Sequence, residues 1–310
     1  RCRIAVWHIQ RILRGVRHAE GGMSKIATIG FFDGVHKGHQ FLFEQVCKMA
    51  EQEGLQPLIV TFDLHPRAVL QNDYIPQLIT SLEERRALLQ QYAEVIVLPF
   101  EQIRPLTAQQ FMSFLKDEYD VQKIVMGYDH RFGSDKLNQI QDYRLVAQSI
   151  GVEIIKQGEY IDGEWHISST EIRQALLNGN VVVANELLGR GYALNGVVVR
   201  GKGIGRTIGF PTANIQPETP EKIIPKSGVY AVQARTNTSS WMPAILNIGT
   251  NPTIGNNQQT IELHIPHFEE NLYGKQIQLR FNRFLREEKK FASIEALRKQ
   301  IQEDIKSLSI

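Results

Sequence analysis

The chain has 310 residues, 42% of them hydrophobic, with 24 glycines and a formal charge of +2, which is material for about two globular domains. It contains no apolar run near the ~20 residues of a membrane helix, and its two cysteines, Cys2 and Cys47, have neither disulfide-framework nor metal-ligand spacing. Five arginines and one glutamate give residues 1–22 a surplus of +4 and leave the remainder at −2, without the clustered Lys and Arg that binding a nucleic-acid backbone needs.

Residues 1–22 are rich in arginine and poor in acids, as transit peptides are. They hold little Ser or Thr and stop just before Met23, so they read as an upstream extension rather than a working part. A cytoplasmic protein is expected, binding neither membrane nor nucleic acid.

From Lys25 to about Leu188 short β-branched runs alternate with amphipathic stretches. Strands are predicted at 25–30, 57–62, 94–98, 121–127 and 152–156, and helices near 39–52, 81–91, 107–118, 139–149 and 169–178. Ser81 with Glu84 and Thr107 with Gln110 form capping boxes at two of the helix starts. Such a βαβ series predicts an α/β fold with a parallel, doubly wound sheet, whose ligands bind beyond the carboxyl ends of the strands. A linker is expected from Asn178 to Gly191. Strands follow at 192–200, 228–235, 241–248, 260–266 and 275–285, and then a helix over 293–307 with Ile294, Leu297, Ile301 and Ile305 along one face. Two domains are therefore expected, 23–188 and an all-β 189–310 closed by that helix.

The first strand runs into Gly34-Val35-His36-Lys37-Gly38-His39 at the start of a helix. Free backbone N–H groups and the helix dipole favour an anion there, Gly34 lets phosphate approach the backbone, and His36 and His39 can donate to phosphate oxygens. Loops after later strands add His65 and Arg67 beside the phosphates, and Asp129 as an acceptor for a ribose or ring nitrogen. Ser168 with Glu171 fits a capping box, and the same helix start offers hydroxyls, N–H groups and Arg173 to a triphosphate.

His36-x-Gly38-His39 after a first strand resembles the signature of the nucleotidyltransferase superfamily. GFFDGVHKGHQ, TFDLHPR, GYDHRFG and SSTEIR, in this order, resemble the FMN adenylyltransferase domain of bacterial bifunctional FAD synthetases, which has a Rossmann-like fold. Leu64 stands where Pro is usual and His130 where Phe is usual. The resemblance implies that Gly34, His36, His39, His65, Asp129, Arg131, Ser168, Ser169, Thr170 and Arg173 bind ATP, with Phe62 toward the flavin.

In the second half, Gly201-Lys202-Gly203-Ile204-Gly205 matches neither G-x-G-x-x-G nor Walker A, and no helix is expected after it. A glycine loop can still present N–H groups to phosphate, with Thr212 and Asn214 as hard oxygen ligands for magnesium. Glu262, on a strand, can take a proton from an alcohol that attacks a γ-phosphate. GKGIGRTIGFPTANI, SGVYA, NIGTNPT, IELHI and NLYGKQI resemble the riboflavin kinase domain of the same family. That resemblance implies a six-stranded antiparallel β-barrel in which Gly201, Lys202, Gly203, Gly209, Thr212, Asn214 and Asn247 bind Mg2+ and ATP. It also implies that Glu262 is the base and that Arg286 approaches flavin.

The expected activity is flavin cofactor biosynthesis in two steps, with riboflavin, ATP, FMN and FAD as partners, Mg2+ as cofactor and room for a weak homo-oligomer. A class I aminoacyl-tRNA synthetase is a rival, but Met23-Ser24-Lys25 precedes the first motif instead of following the catalytic fold. A flavin or nucleotide carrier is the non-catalytic rival, which has no use for a base.

Overall fold

The protein is described by a computed structural model covering residues 23–71, 73–128, 130–162, 165–201, 204–253 and 256–309. It divides into two compact units. One holds the chain up to Pro76 and Leu82–Ile167, and the other holds Gln77–Ser81 and the chain from Ser168 onward.

The first unit runs β1 (Lys25–Ile29), α1 (Lys37–Glu53), β2 (Gln56–Phe62), α2 (Pro66–Leu70), α3 (Leu82–Leu89), β3 (Glu94–Leu98), α4 (Phe100–Ile103), α5 (Ala108–Tyr119), β4 (Val121–Met126), α6 (Ile140–Ser149), β5 (Glu153–Lys156) and a short hairpin, β6 (Ile161–Asp162) with β7 (Trp165–His166). The sheet order is β3-β2-β1-β4-β5 and every pair is parallel. Strands covered on both faces can be apolar at successive positions. Ile26, Ile59 and Val125 meet Leu42, Phe43, Val46 and Ala50 of α1 on one face. Ala27, Ile29, Leu58 and Val60 meet Phe111, Met112 and Leu115 of α5 and Tyr143 and Ala147 of α6 on the other. The strand order reverses between β1 and β4, so the crevice expected of a doubly wound sheet opens at the loops that follow those two strands.

Local chemistry sets the helix ends. Thr107 and Gln110 form the expected capping box on α5, where loss of the cap hydroxyl costs ~1 kcal/mol. Gly54, at φ 67°, stops α1 in a left-handed turn and bonds back to the Ala50 carbonyl.

The second unit runs α7 (Ser169–Leu177), α8 (Val181–Leu188), β8 (Ala193–Val199), α9 (Ile204–Thr207), β9 (Ala213–Pro217), β10 (Gly228–Thr236), β11 (Met242–Thr253), β12 (Asn256–His264), β13 (Gln276–Arg286) and α10 (Ile294–Lys306). Its six strands close into an antiparallel barrel ordered β10-β11-β12-β9-β8-β13, which leaves no open edge. Leu194, Val198, Leu246, Ile248, Ile261, Leu263, Leu279 and Phe281 are buried within it.

Four expectations change. The stretch 178–191 is not a plain linker but carries α8, whose Asn185 donates to the Phe281 carbonyl and accepts from the Tyr192 N–H; packing on β13 overrides the strand preference of Val181-Val182-Val183. A short helix, α9, does follow the glycine run. The strand β9, which follows Pro211 and ends at Pro217, has no alternating pattern to reveal it. On α10, Ile294 is 54% exposed, and it is Leu297 and Ile301 that face a cavity on the barrel wall.

Candidate functional sites

At the end of β1 the chain turns sharply through Phe32, Gly34 and Val35, all at positive φ (55°, 81° and 43°). For a β-branched residue such as Val35 that conformation is strained, which marks a turn held by its surroundings. It delivers His36 to the N-cap of α1, where its Nδ1 accepts the His39 N–H at 3.4 Å. The two imidazoles stack with centroids 3.6 Å apart, and His39 also meets the Phe32 edge at 5.2 Å. A side chain at Gly38 would press on the His36 ring at 3.3 Å. The helix start therefore presents two adjacent imidazoles beside a tight glycine turn.

After β2, His65 caps α2 by accepting the Arg67 N–H at 3.1 Å, and its ring stands on Phe31 at 4.7 Å. Phe31 and Phe62 belong to a cavity of about 930 Å³ that also takes in Phe100, Phe111 and Phe132. Arg67, Arg104, Arg131 and Lys136 supply cations around it. Arg131 and Phe62, expected to serve different ligands, thus line the same cavity, while Asp129 lies outside the described residues.

Sequence reasoning did not find Arg85, on α3. It is 1% exposed, donates to the Phe62 carbonyl at 2.6 Å and lays its guanidinium over the Phe31 ring at 3.9 Å. Burial lowers its pKa to about 10 against the opposing pull of Asp33, Glu83 and Asp63. The only hint in the sequence is a second arginine, Arg86, beside it on a helix whose other face is solvated.

Ser168 caps α7 in the expected box with Glu171, and Arg173 donates to the Gln77 carbonyl at 2.7 Å. Ser168, Ser169, Thr170 and Arg173 all belong to the second unit.

On the barrel, pairing register assembles the second group. Arg286 is opposite Val229, Val229 opposite Asn247, Asn247 opposite Glu262, and Glu262 opposite Asn214. Directly opposed residues share a sheet face, so four residues singled out from the sequence form one row across β13, β10, β11, β12 and β9. Thr212, two residues before Asn214, has its hydroxyl 3.5 Å from a Glu262 carboxylate oxygen. Glycines make room nearby: a side chain at Gly201 would fall 2.0 Å from the Asn214 amide, and one at Gly205 would fall 2.4 Å from the Phe210 carbonyl. Gly209 turns at φ 84°. Lys202 and Gly203 lie outside the described residues.

Two cavities meet at Thr212. One, of about 360 Å³, includes Asn247, Glu262, Arg286, Phe210, Leu297 and Ile301. The other, of about 470 Å³, includes Arg200, Ala213, Leu263, Phe268 and Tyr273. Arg286 is held by a two-pronged bond to buried Asp304 of α10 at 3.1 and 2.8 Å. Asp304 and His264 were not anticipated. His264 could have been suspected, because it lies two residues from Glu262 and so shares its strand face.

Family comparison agrees with both halves. The FAD synthetase model matches residues 20–171 and the riboflavin kinase model matches residues 188–309. A bifunctional riboflavin kinase/FMN adenylyltransferase of Escherichia coli (strain K12) is 33% identical over 95% of this chain and 95% of its own. Its counterpart in Listeria monocytogenes serovar 1/2a is 37% identical over 91% and 90%. A crystal structure described as a macrolide-efflux protein from Streptococcus pneumoniae shares the fold, with a TM-score of 0.85, 32% identity and coverage of 94% of this chain and 95% of that one. Among the described residues no helix of this chain is long and apolar enough to cross a membrane. Two domain matches in order, with relatives 33% and 37% identical over 90% or more of both chains, leave no place for the synthetase reading: the chain belongs to the bifunctional riboflavin kinase/FMN adenylyltransferase family.

Proposed function

We propose that this chain makes FAD in two ATP-dependent steps, with residues 189–310 converting riboflavin to FMN and residues 23–188 converting FMN to FAD. The observation that carries the kinase step is the row Arg286, Asn247, Glu262 and Asn214, with Glu262 bonded to Thr212, a residue shared by two cavities. The cavity beneath α10 has aromatic and aliphatic walls for a flavin ring, and the other takes the nucleotide. Glu262 accepts the proton of the riboflavin 5′-hydroxyl as its oxygen bonds to the γ-phosphorus of ATP, and the bond to the β-phosphate oxygen breaks to release ADP. Gly201, Lys202, Gly203 and Gly209 let the loop backbone follow the phosphates, and Asn247 sits beside Glu262 to orient the reacting groups.

Thr212 and Asn214 would hold the magnesium that arrives with ATP. No cluster of three or more His, Cys, Asp or Glu able to hold a metal occurs among the described residues, and a cation bound through few protein oxygens and the nucleotide's phosphates suits such a sparse donor set. When bound, it neutralises phosphate charge.

In the adenylyl step an FMN phosphate oxygen attacks the α-phosphorus of ATP and pyrophosphate leaves. Phe62 and its aromatic neighbours enclose the flavin, and Arg131 and Arg67, expected from the sequence at ATP, are reassigned with Lys136 to the FMN phosphate because they line the cavity of Phe62. Gly34, His36, His39 and His65 bind ATP phosphate, with the two stacked imidazoles meeting the charge that develops on it. Asp129 holds the nucleoside, and Ser168, Ser169, Thr170 and Arg173, at the start of α7, are ATP-binding residues by the family resemblance.

Incubation with riboflavin, ATP and magnesium, followed by chromatography, is expected to yield FMN and then FAD. Glu262→Ala is expected to abolish FMN formation while supplied FMN is still converted to FAD. A chain that binds flavin and nucleotide and yields neither product is a carrier, and the proposal fails.

A further inference from the structure

The ring of His264 is held in a defined direction. Its Nδ1 lies 2.9 Å from the Pro211 carbonyl oxygen. A carbonyl can only accept, so Nδ1 carries the proton, and in the neutral ring Nε2 is left as an acceptor. No described residue bonds Nε2. The ring is 9% exposed, is held by the edge of Phe210 at 5.6 Å, and lines the same cavity as Glu262 and Arg286. Glu262 and His264 share a strand face about 6.6 Å apart along β12, a short stretch of polyol chain from the hydroxyl that Glu262 would deprotonate.

Phe210, Phe291, Leu297 and Ile301 give the cavity apolar surface, Thr212, Asn247, Glu262 and His264 give it polar groups around the proposed base, and Arg286, Glu288, Lys289 and Asp304 add charges. A ligand that puts an aromatic ring at one end and a hydroxylated chain at the other fits that division, and a lone acceptor beside the base has a hydroxyl as its natural donor.

We propose that His264 is a specificity-determining residue of the kinase step, accepting a hydrogen bond from one ribityl hydroxyl of the flavin through Nε2 while its Nδ1–H anchors the loop that carries Thr212. It aligns the 5′-hydroxyl with Glu262 and links flavin binding to the position of the threonine at the nucleotide side. This rests on the kinase reading of the barrel.

The test uses steady-state FMN formation by the full chain at saturating ATP and magnesium. In His264→Asn the amide nitrogen replaces Nδ1 and keeps the bond to Pro211, while the acceptor at Nε2 is gone. Loss of one neutral hydrogen bond is expected to raise KM for riboflavin about 3- to 10-fold. The inhibition constant of lumiflavin, which has the ring but no hydroxylated chain, is expected to stay within about twofold, since His264 contributes to chain binding alone. The unaltered enzyme supplies a second measurement that needs no variant. One of the 2′-, 3′- and 4′-deoxy analogues of riboflavin should show the same rise in KM, and in His264→Asn that analogue should show no further rise. An unchanged KM in His264→Asn overturns the proposal. So does a lumiflavin constant that rises in step with KM, or a set of deoxy analogues that all behave like riboflavin. Absence of FMN from the unaltered enzyme defeats the kinase reading itself, and this proposal with it.

Discussion

Replacing Arg85 with methionine separates what this buried cation does for stability from what it does for the flavin cavity. A guanidinium whose pKa is lowered by burial to about 10 is charged in both states at neutral pH, so at 1.36 kcal/mol per unit its burial costs about 3 kcal/mol. Its Nε has no hydrogen-bond partner among the described residues, which accords with a net cost. Against this stand one bond to the Phe62 carbonyl, worth ~1.5–3 kcal/mol for a charged donor, and the contact over Phe31, worth ~2 kcal/mol when desolvated. The contributions nearly cancel. Methionine keeps most of the length without the charge, so Arg85→Met is expected to change the stability of the first unit by less than about 2 kcal/mol.

Function should respond more strongly. Phe31 is held between Arg85 and His65, and loosening it removes an anchor worth ~1 kcal/mol or more, about fivefold in KM for FMN in the adenylyl step. Kinase activity should not change. Hydrogen exchange of the β1 and β2 amides measures the stability term, and steady-state kinetics with FMN measures the other. The pH dependence has a definite sign. The unfolded chain binds more protons than the folded one between about pH 10 and the ordinary guanidinium pKa, so the unaltered protein gains stability relative to the variant across that window and not below it. A loss beyond about 4 kcal/mol with unaltered KM for FMN would refute this reasoning, because Arg85 would then be a structural cation with no bearing on the cavity.

Gly201→Ala places a methyl 2.0 Å from the Asn214 amide; displacement of that side chain is expected to raise KM for ATP about tenfold in FMN formation and to leave FAD formation from FMN unchanged. Asp304→Ala strips Arg286 of its two-pronged partner and Gln300 of its acceptor. It is expected to cost ~3–5 kcal/mol at this buried pair, seen as faster exchange of α10 amides together with a raised KM for riboflavin, and Asp304→Asn should show both effects to a smaller degree.

The parallel sheet was legible because its strands are short, β-branched and regularly spaced by amphipathic helices, and the glycine-histidine turn was legible because residue type and position coincide. The barrel was less so. β9 carries Asn214 yet has no alternation, since its neighbours Glu262 and Val199 fix its place by pairing. α8 is a run of valines in isolation and a helix only against β13. Arg85 and Asp304 were invisible for a different reason: each matters through burial and one long-range partner, Phe31 for the first and Arg286 for the second, and no local spacing encodes either contact. Glu262, Asn247, Asn214 and Arg286 were each weak as single residues. Their common row is a property of register, which only the folded barrel displays.

The two proposed sites also differ in a way that their nucleophiles require. Riboflavin attacks through an alcohol, which must lose a proton, and the barrel presents Glu262 beside Thr212 within a cavity that a flavin can enter. FMN attacks through a phosphate oxygen that is already ionised, so the first unit needs no base. Its nearby carboxylate Asp63 is accordingly committed to structure, accepting the N–H groups of Leu64 and Phe100 at 2.7 and 2.8 Å. What the first unit offers at its turn is a pair of imidazoles and a helix start, groups that in the proposed adenylyl step would stabilise charge on the phosphate under attack and on the pyrophosphate that leaves. In the proposed scheme one ATP chemistry is directed to the γ-phosphorus by a carboxylate and an alcohol pocket, and the other to the α-phosphorus by donors alone. Glu262 is therefore the residue on which the two activities should part most cleanly, and the imidazole pair is where they should part in the opposite sense.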